Sequence, residues 1–135
     1  MPLLDGDLRG WLLQRAAIAE AVVDRIHAVR LPQGGAMPAI VLTLVSSVAV
    51  TSNDGYSNLR FRRLQVDIYG QDFDAIAALA EEVFAALVGF EGVMGSTQVR
   101  HVRLLSERDL DEEGLEINSP VFRRTQDYEI AEGAD

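Results

Sequence analysis

The residues of this chain that could do chemistry are few, and their spacing argues against most of it. The two histidines, His27 and His101, belong to no HExxH or HxH pair, whereas zinc sites take three or four ligands at recognisable spacing. His101 stands between Arg100 and Val102 and reads as a solvated or hydrogen-bonded strand residue. There is no cysteine, which removes disulfides, thiolate catalysis and cysteine–metal sites. Ser46, Ser47 and Ser96 lie in no GxSxG elbow, and no histidine is placed to activate them. No P-loop or dinucleotide fingerprint occurs, so Gly34-Gly35 and Gly92 to Gly95 read as turns. The acidic run Asp109, Asp111, Glu112, Glu113 imitates a calcium loop only in part. Asp109, Asp111 and Gly114 fit its first, third and sixth positions, but Glu113 stands at the fifth and Pro120 at the twelfth. A solvated loop over Glu107 to Gly114 is the expectation, with no catalytic, cofactor or metal residue and no cofactor.

Arginine is the remaining chemistry. All 12 basic residues are Arg and none is Lys; GC-rich codon usage accounts for that, and the functional reading is bidentate pairing with carboxylates at interfaces. Arg60-Phe61-Arg62-Arg63 is a basic cluster with an aromatic, and Arg123-Arg124 lies near the other hairpin. Such a cluster can touch phosphate. The net charge of −9 opposes a broad nucleic-acid or anionic-membrane face. Arginines on strands pair with carboxylates, here on a neighbouring subunit. The candidate subunit-interface set is therefore Arg60, Arg62, Arg63, Arg123, Arg124, Asp111, Glu112 and Glu113.

The elements that position these residues can be read from periodicity. Leu4 to Ile26 has helical spacing, with Asp5 or Asp7 available to cap it. A short extended piece, Arg25 to Arg30, and a Pro/Gly loop, Leu31 to Gly35, follow. Ala39 to Thr51 is rich in β-branched residues and reads as a long strand. It turns at Ser52-Asn53-Asp54-Gly55 and returns over Asn58 to Tyr69. In the return strand the apolar alternation slips by one at Arg62-Arg63, which predicts a β-bulge or a change of partner there. Gly70-Gln71-Asp72 caps a second helix with the stripe Phe73, Ile76, Leu79, Ala80, Val83, Phe84, Leu87, stopped at Gly89. Thr97 to Ser106 and Pro120 to Ile130 are the last long strands. The expected fold is α+β, an antiparallel (mixed) sheet of two long hairpins with two helices packed on one face. The 135 residues fit one domain, 1–135. No stretch reaches the roughly 18 apolar residues of a membrane span, and acids near the N-terminus oppose a signal peptide, so a cytoplasm-like compartment is expected. Strands of this length protrude from a small core or lie at an edge that another chain can extend, and both point to assembly.

Three stretches carry a family resemblance. The first is Leu8-Arg9-Gly10-Trp11-Leu12 with Asp24-Arg25-Ile26, Leu31-Pro32-Gln33-Gly34 and Pro38-Ala39-Ile40-Val41. The second is Arg63-Leu64-Gln65-Val66-Asp67-Ile68-Tyr69, leading to Ala86-Leu87. The third is Phe122-Arg123-Arg124-Thr125-Gln126-Asp127-Tyr128-Glu129-Ile130. Together, in this order, they resemble the tail-completion or tail-terminator proteins of long-tailed bacteriophages, prophages and gene transfer agents. The acidic loop Glu107 to Gly114 has no counterpart in that resemblance. It implies a non-enzymatic α+β domain that forms a homo-oligomeric ring, typically a hexamer, at the head-proximal end of the tail. The implied partners are further copies of itself, the tail-tube protein and the head–tail connector, with DNA only in transit through the lumen and no membrane. The implied location is the virion tail, with assembly in the host cytoplasm. Two other readings stay open: another head–tail connector or tail-tube component, and a small α+β ligand-binding module or enzyme.

Overall fold

A computed structural model of the chain describes residues 6–32, 34–52, 55–111 and 121–133. The helices are α1 (Leu8–Leu13), α2 (Ala16–Val22) and α3 (Phe73–Leu87). The strands are β1 (Ile26–Ala28), β2 (Ala39–Ser52), β3 (Gly55–Gly70), β4 (Gly92–Met94), β5 (Thr97–Asp111) and β6 (Phe122–Glu132). They form one six-stranded sheet in the order β1-β2-β3-β6-β5-β4. Only β1 and β2 run parallel; all other neighbours are antiparallel. The expected α+β fold with two long hairpins is therefore what the chain adopts.

The helices lie over one face of the sheet. Ile40 and Leu42 on β2, Leu64, Val66 and Ile68 on β3, Tyr128 and Ile130 on β6 and Val102 on β5 share that face in register. They cluster there with Leu8, Leu12, Ile18 and Val22 and with the buried stripe of α3. The N-terminal helix is two helices rather than one, broken at Gln14 and Arg15, where Arg15 turns extended. Anchoring to α3 explains the break: Trp11 donates its indole N–H to the Ala86 carbonyl at 2.9 Å, and Arg15 meets Glu82 at 2.7 Å. Tertiary contacts of this kind override the helix propensity of the flanking alanines. Asp5 lies outside the described residues, and Asp7 makes no cap bond. Its carboxylate instead accepts from the Ser96 amide, the Ser96 hydroxyl and the Thr97 hydroxyl, tying the start of α1 to the β4–β5 turn. Asp72 does cap α3, accepting from the Asp74 amide.

The irregularity expected at Arg62-Arg63 falls at that level of the sheet, but on the partner strand. Between Leu64 and Arg63 the register with β2 jumps from Leu44 to Ser46, so the extra residue is Val45. Towards β6, β3 pairs without a break from Arg60 to Gly70. β3 keeps one alternation throughout because Arg62 occupies a core-facing place in line with Leu64. It is 3% exposed, with its guanidinium on Glu132 at 2.7 Å. A matching extra residue, Leu105, interrupts β5 between Leu104 and Ser106. Bulges on both flanking strands, one on each side of the Leu64–Tyr128 row, sharpen the twist there and curl the sheet.

β5 also runs further than the expected Ser106, through Asp111. The residues Glu107 to Asp111 are strand rather than loop because β6 partners two of their acids. Gln126 donates to Glu107 at 2.8 Å, and Arg124 grips Asp109 at 2.7 and 3.1 Å. β6 itself is unusual: Thr125, Gln126, Asp127 and Tyr128 are all buried. Gln126 donates to the Ala80 carbonyl at 3.1 Å and accepts the Tyr128 hydroxyl at 2.8 Å. On the opposite face Thr125 donates to Asp67 at 2.7 Å, and Asp127 accepts from Ser106 at 2.9 Å.

Gly95 has a φ of +62°, and a Cβ there would collide with the Asp7 carboxylate. Gly10, by contrast, is helical with open space around it. Gly95→Ala should therefore destabilise the fold by more than about 1 kcal/mol, and Gly10→Ala should stabilise it by up to about 1 kcal/mol. Urea unfolding of the two variants beside the parent checks both signs.

Candidate subunit interface

The sequence singled out arginines and acids for contact with a neighbour, and the structure distributes them differently. Arg62 points into the core on Glu132. Arg123 and Arg124 take opposite faces of β6. Arg123 donates to Asp67 at 3.0 Å and lies over the Tyr69 ring, 5.6 Å from its centroid. Asp67 also accepts from Thr125 and from Gln65. Arg124 holds Asp109 through two bonds and lies 5.5 Å from the Phe73 centroid. Arg62, Arg123 and Arg124 thus have carboxylate partners within the chain. Arg60 and Arg63 are exposed, on opposite faces of β3. Asp111 closes β5 opposite Phe122; Glu112 and Glu113 lie outside the described residues.

The pairing shows in the acidities. The bond from Arg124 holds the Asp109 carboxyl below the usual carboxylate range. The bond from Arg103 does the same for Glu129, which also faces His101 at 3.6 Å. Asp7 is lowered chiefly by the Thr97 hydroxyl. Burial pushes the Tyr128 hydroxyl well above the usual phenol range, so it acts as a donor at any ordinary pH.

Periodicity did not reveal which apolar residues stay uncovered. Of the expected α3 stripe, Ile76, Leu79, Ala80, Val83 and Leu87 are buried, whereas Phe73 and Phe84 are exposed. On the helix-free face, Val48 is 58% exposed and pairs with Phe61, whose ring stands 6.4 Å from that of His101. A broad apolar stripe contains both core and surface members, and only the packed partner distinguishes them. The outer edges are the other missed feature. β1 covers β2 only at Ile40 to Leu42, and β4 covers β5 only at Thr97 to Val99. Beyond Leu42 and Val102, β2 and β5 border no further strand among the described residues.

For catalysis the geometry offers little. A hollow of about 530 Å³ lies between α1 and the end of α3, with Trp11 and Phe90 in its wall. Gln14 and Arg15 also line it, and Arg15 is engaged with Glu82. Among the described residues, no group of three or more His, Cys, Asp or Glu could hold a metal ion, and no helix is long and apolar enough to cross a membrane.

Comparison with known proteins adds identity to this geometry. The family model described as tail completion protein gp17 matches residues 6–131. No curated protein matches the chain in sequence. Among solved structures, a chain of the virion of a native gene transfer agent particle superposes with a TM-score of 0.66 at 16% identity. The match covers 97% of this chain and 98% of that one. At that identity it bears on the fold alone.

Carboxyls held below their ordinary range contribute stability above that range and lose it as pH falls through their folded values. Asp109, Glu129 and Asp7 all carry this sign. Unfolding midpoints should therefore drop as pH falls below about 4. Arg124→Gln should lower stability at neutral pH by no more than about 1 kcal/mol, since Asp109 is half exposed and screened. It should also flatten the acid slope. Urea titrations across the acid range check both.

Proposed function

This chain belongs to the tail completion protein gp17 family, a family of structural tail proteins, and on that premise we propose that it closes into a ring at the head-proximal end of a phage-type tail. In that place it ends the tail tube and offers a face to the head–tail connector. The ring is a homo-oligomer, most simply a hexamer, with DNA passing through its lumen. Its residence is the virion tail, and its assembly takes place in the host cytoplasm.

The observation that carries this reading is the pair of long outer strands. β2 and β5 run well past the short strands that cover their ends, so among the described residues their edges border no further strand and are offered to other chains. A strand edge of this kind pairs readily with a neighbour's backbone. Repetition of one such contact around a closing rotation generates a ring. The net charge of −9 suits a channel that must not retain the DNA passing through it. Asp109 and Glu129 already have arginine partners, so the acidic character resides in the remaining carboxylates. The open hollow at Trp11 supplies no observation in favour of the ligand-binding or enzymatic alternative.

Electron microscopy of the purified chain, alone and mixed with isolated tail tubes, tests the proposal. Closed rings, free or seated on one end of each tube, are the expected result. A chain that stays monomeric at high concentration and leaves tube ends bare would overturn it.

A further inference from the structure

The helix-free face of the β2–β3 hairpin and the outward face of α3 have matching shapes of chemistry and opposite charge. We infer that these two surfaces meet between neighbouring copies, so that each subunit lays its hairpin face on the α3 of the next. The inference rests on the ring reading and adds to the strand edges a second contact that repeats around the ring.

The first surface is built by register. Val48, Phe61, Ala131 and His101 stand side by side across β2, β3, β6 and β5. The adjacent row is Ser46, Arg63, Glu129 and Arg103. Val48 is more than half exposed and Arg63 is exposed. The Arg103 side chain is 62% exposed although it bonds Glu129. The row sets two guanidiniums against the one carboxylate, so an apolar centre is rimmed by positive charge. Arg63 and Val48 are outside the core cluster, so both are available for contact with a neighbour.

The second surface is the outward side of α3. Asp74, Ala78, Glu81 and Ala85 are spaced along one side of the helix and all are exposed. Phe84 lies beside them, 37% exposed. The helix sequence FDAIAALAEEVFAAL holds no cation. Arg15 and Arg124 reach this helix from other elements but are engaged with Glu82 and Asp109, so Asp74 and Glu81 leave the rim of a small apolar centre negative on balance.

The helices occupy one face of the sheet, and the hairpin patch is on the other. One copy therefore cannot close this contact on itself, and two copies cannot satisfy both surfaces by a two-fold axis alone. A head-to-tail arrangement satisfies every surface only when the ring closes. Opposite rims set the register and repel the like-on-like alternatives. A second copy is the occupant because both complementary surfaces are on this one chain.

Two charge-reversed proteins test this. One carries Val48→Glu with Arg63→Glu; the other carries Asp74→Arg with Glu81→Arg. All four positions are exposed, and thermal melts establish that each protein folds. Sedimentation velocity, alone and with tube ends present, then measures assembly. Each variant alone should assemble at least about tenfold more weakly than the parent, because like charges face each other. An equimolar mixture should recover assembly, since each variant then offers the surface the other lacks. Variants that assemble like the parent overturn this contact and leave the ring standing. Variants that weaken but are not rescued by mixing also overturn it, and direct the two surfaces to a different partner such as the tube protein. A parent chain that assembles neither alone nor on tube ends overturns the ring and the contact together.

Discussion

Thr125, Gln126, Asp127 and Tyr128 follow one another on β6, are buried, and all carry polar groups that must be bonded inside the protein. Gln126 and Tyr128 face the helices, and the chain answers them with the Ala80 carbonyl of α3 and Glu107 of β5. Thr125 and Asp127 face the other way and are answered by Asp67, Ser106 and Arg108. A slip of one residue would exchange the two faces and strand every one of these groups. The register of β3, β6 and β5 is therefore fixed by polar satisfaction as much as by apolar burial. α3 is drawn into the same arrangement through the Ala80 carbonyl.

That central lock lets the flanking strands be irregular and long. Val45 and Leu105 are extra residues on the strands either side of the β3–β6 pair, one on each side of the Leu64–Tyr128 row. β3 and β6 pair without a break from Arg60 to Gly70, while the irregularities fall on β2 and β5. The outer strands then run past β1 and β4 with their edges open among the described residues. Such edges are a liability in a solitary protein and an asset in one that assembles. The arginines close to the lock, Arg62, Arg123 and Arg124, serve it from within the chain. Arg63 and Arg103 flank Glu129, at the edge of the lock, and are exposed on the helix-free face.

The sequence makes the hairpin and helix order legible because β-branched runs, turn residues and the helical stripe of α3 each act locally. The apparent slip in β3 was legible as an anomaly, but its cause was not. Arg62 looks like a surface residue in sequence, and its inward place depends on Glu132, far along the chain. Similarly, Glu107 to Asp111 has the composition of a loop, and it is strand because Gln126 and Arg124 meet it across the sheet. The break between α1 and α2 depends on Ala86 and Glu82, again distant in sequence. Candidate interface residues were chosen by type, and type does not say whether an arginine's carboxylate lies in its own chain. The exposed Phe84 and Val48 carry no local signal at all, since burial is a property of what packs against them.

The central claim is a position: this chain ends the tail tube as a closed ring next to the head. A cryo-electron-microscopy reconstruction of the head–tail junction in the producing particle tests that most directly. The account predicts a single ring of this fold between the last tube layer and the connector, with the long hairpins at the subunit boundaries. Density for the fold repeated along the tube, or confined to another part of the particle, would contradict it.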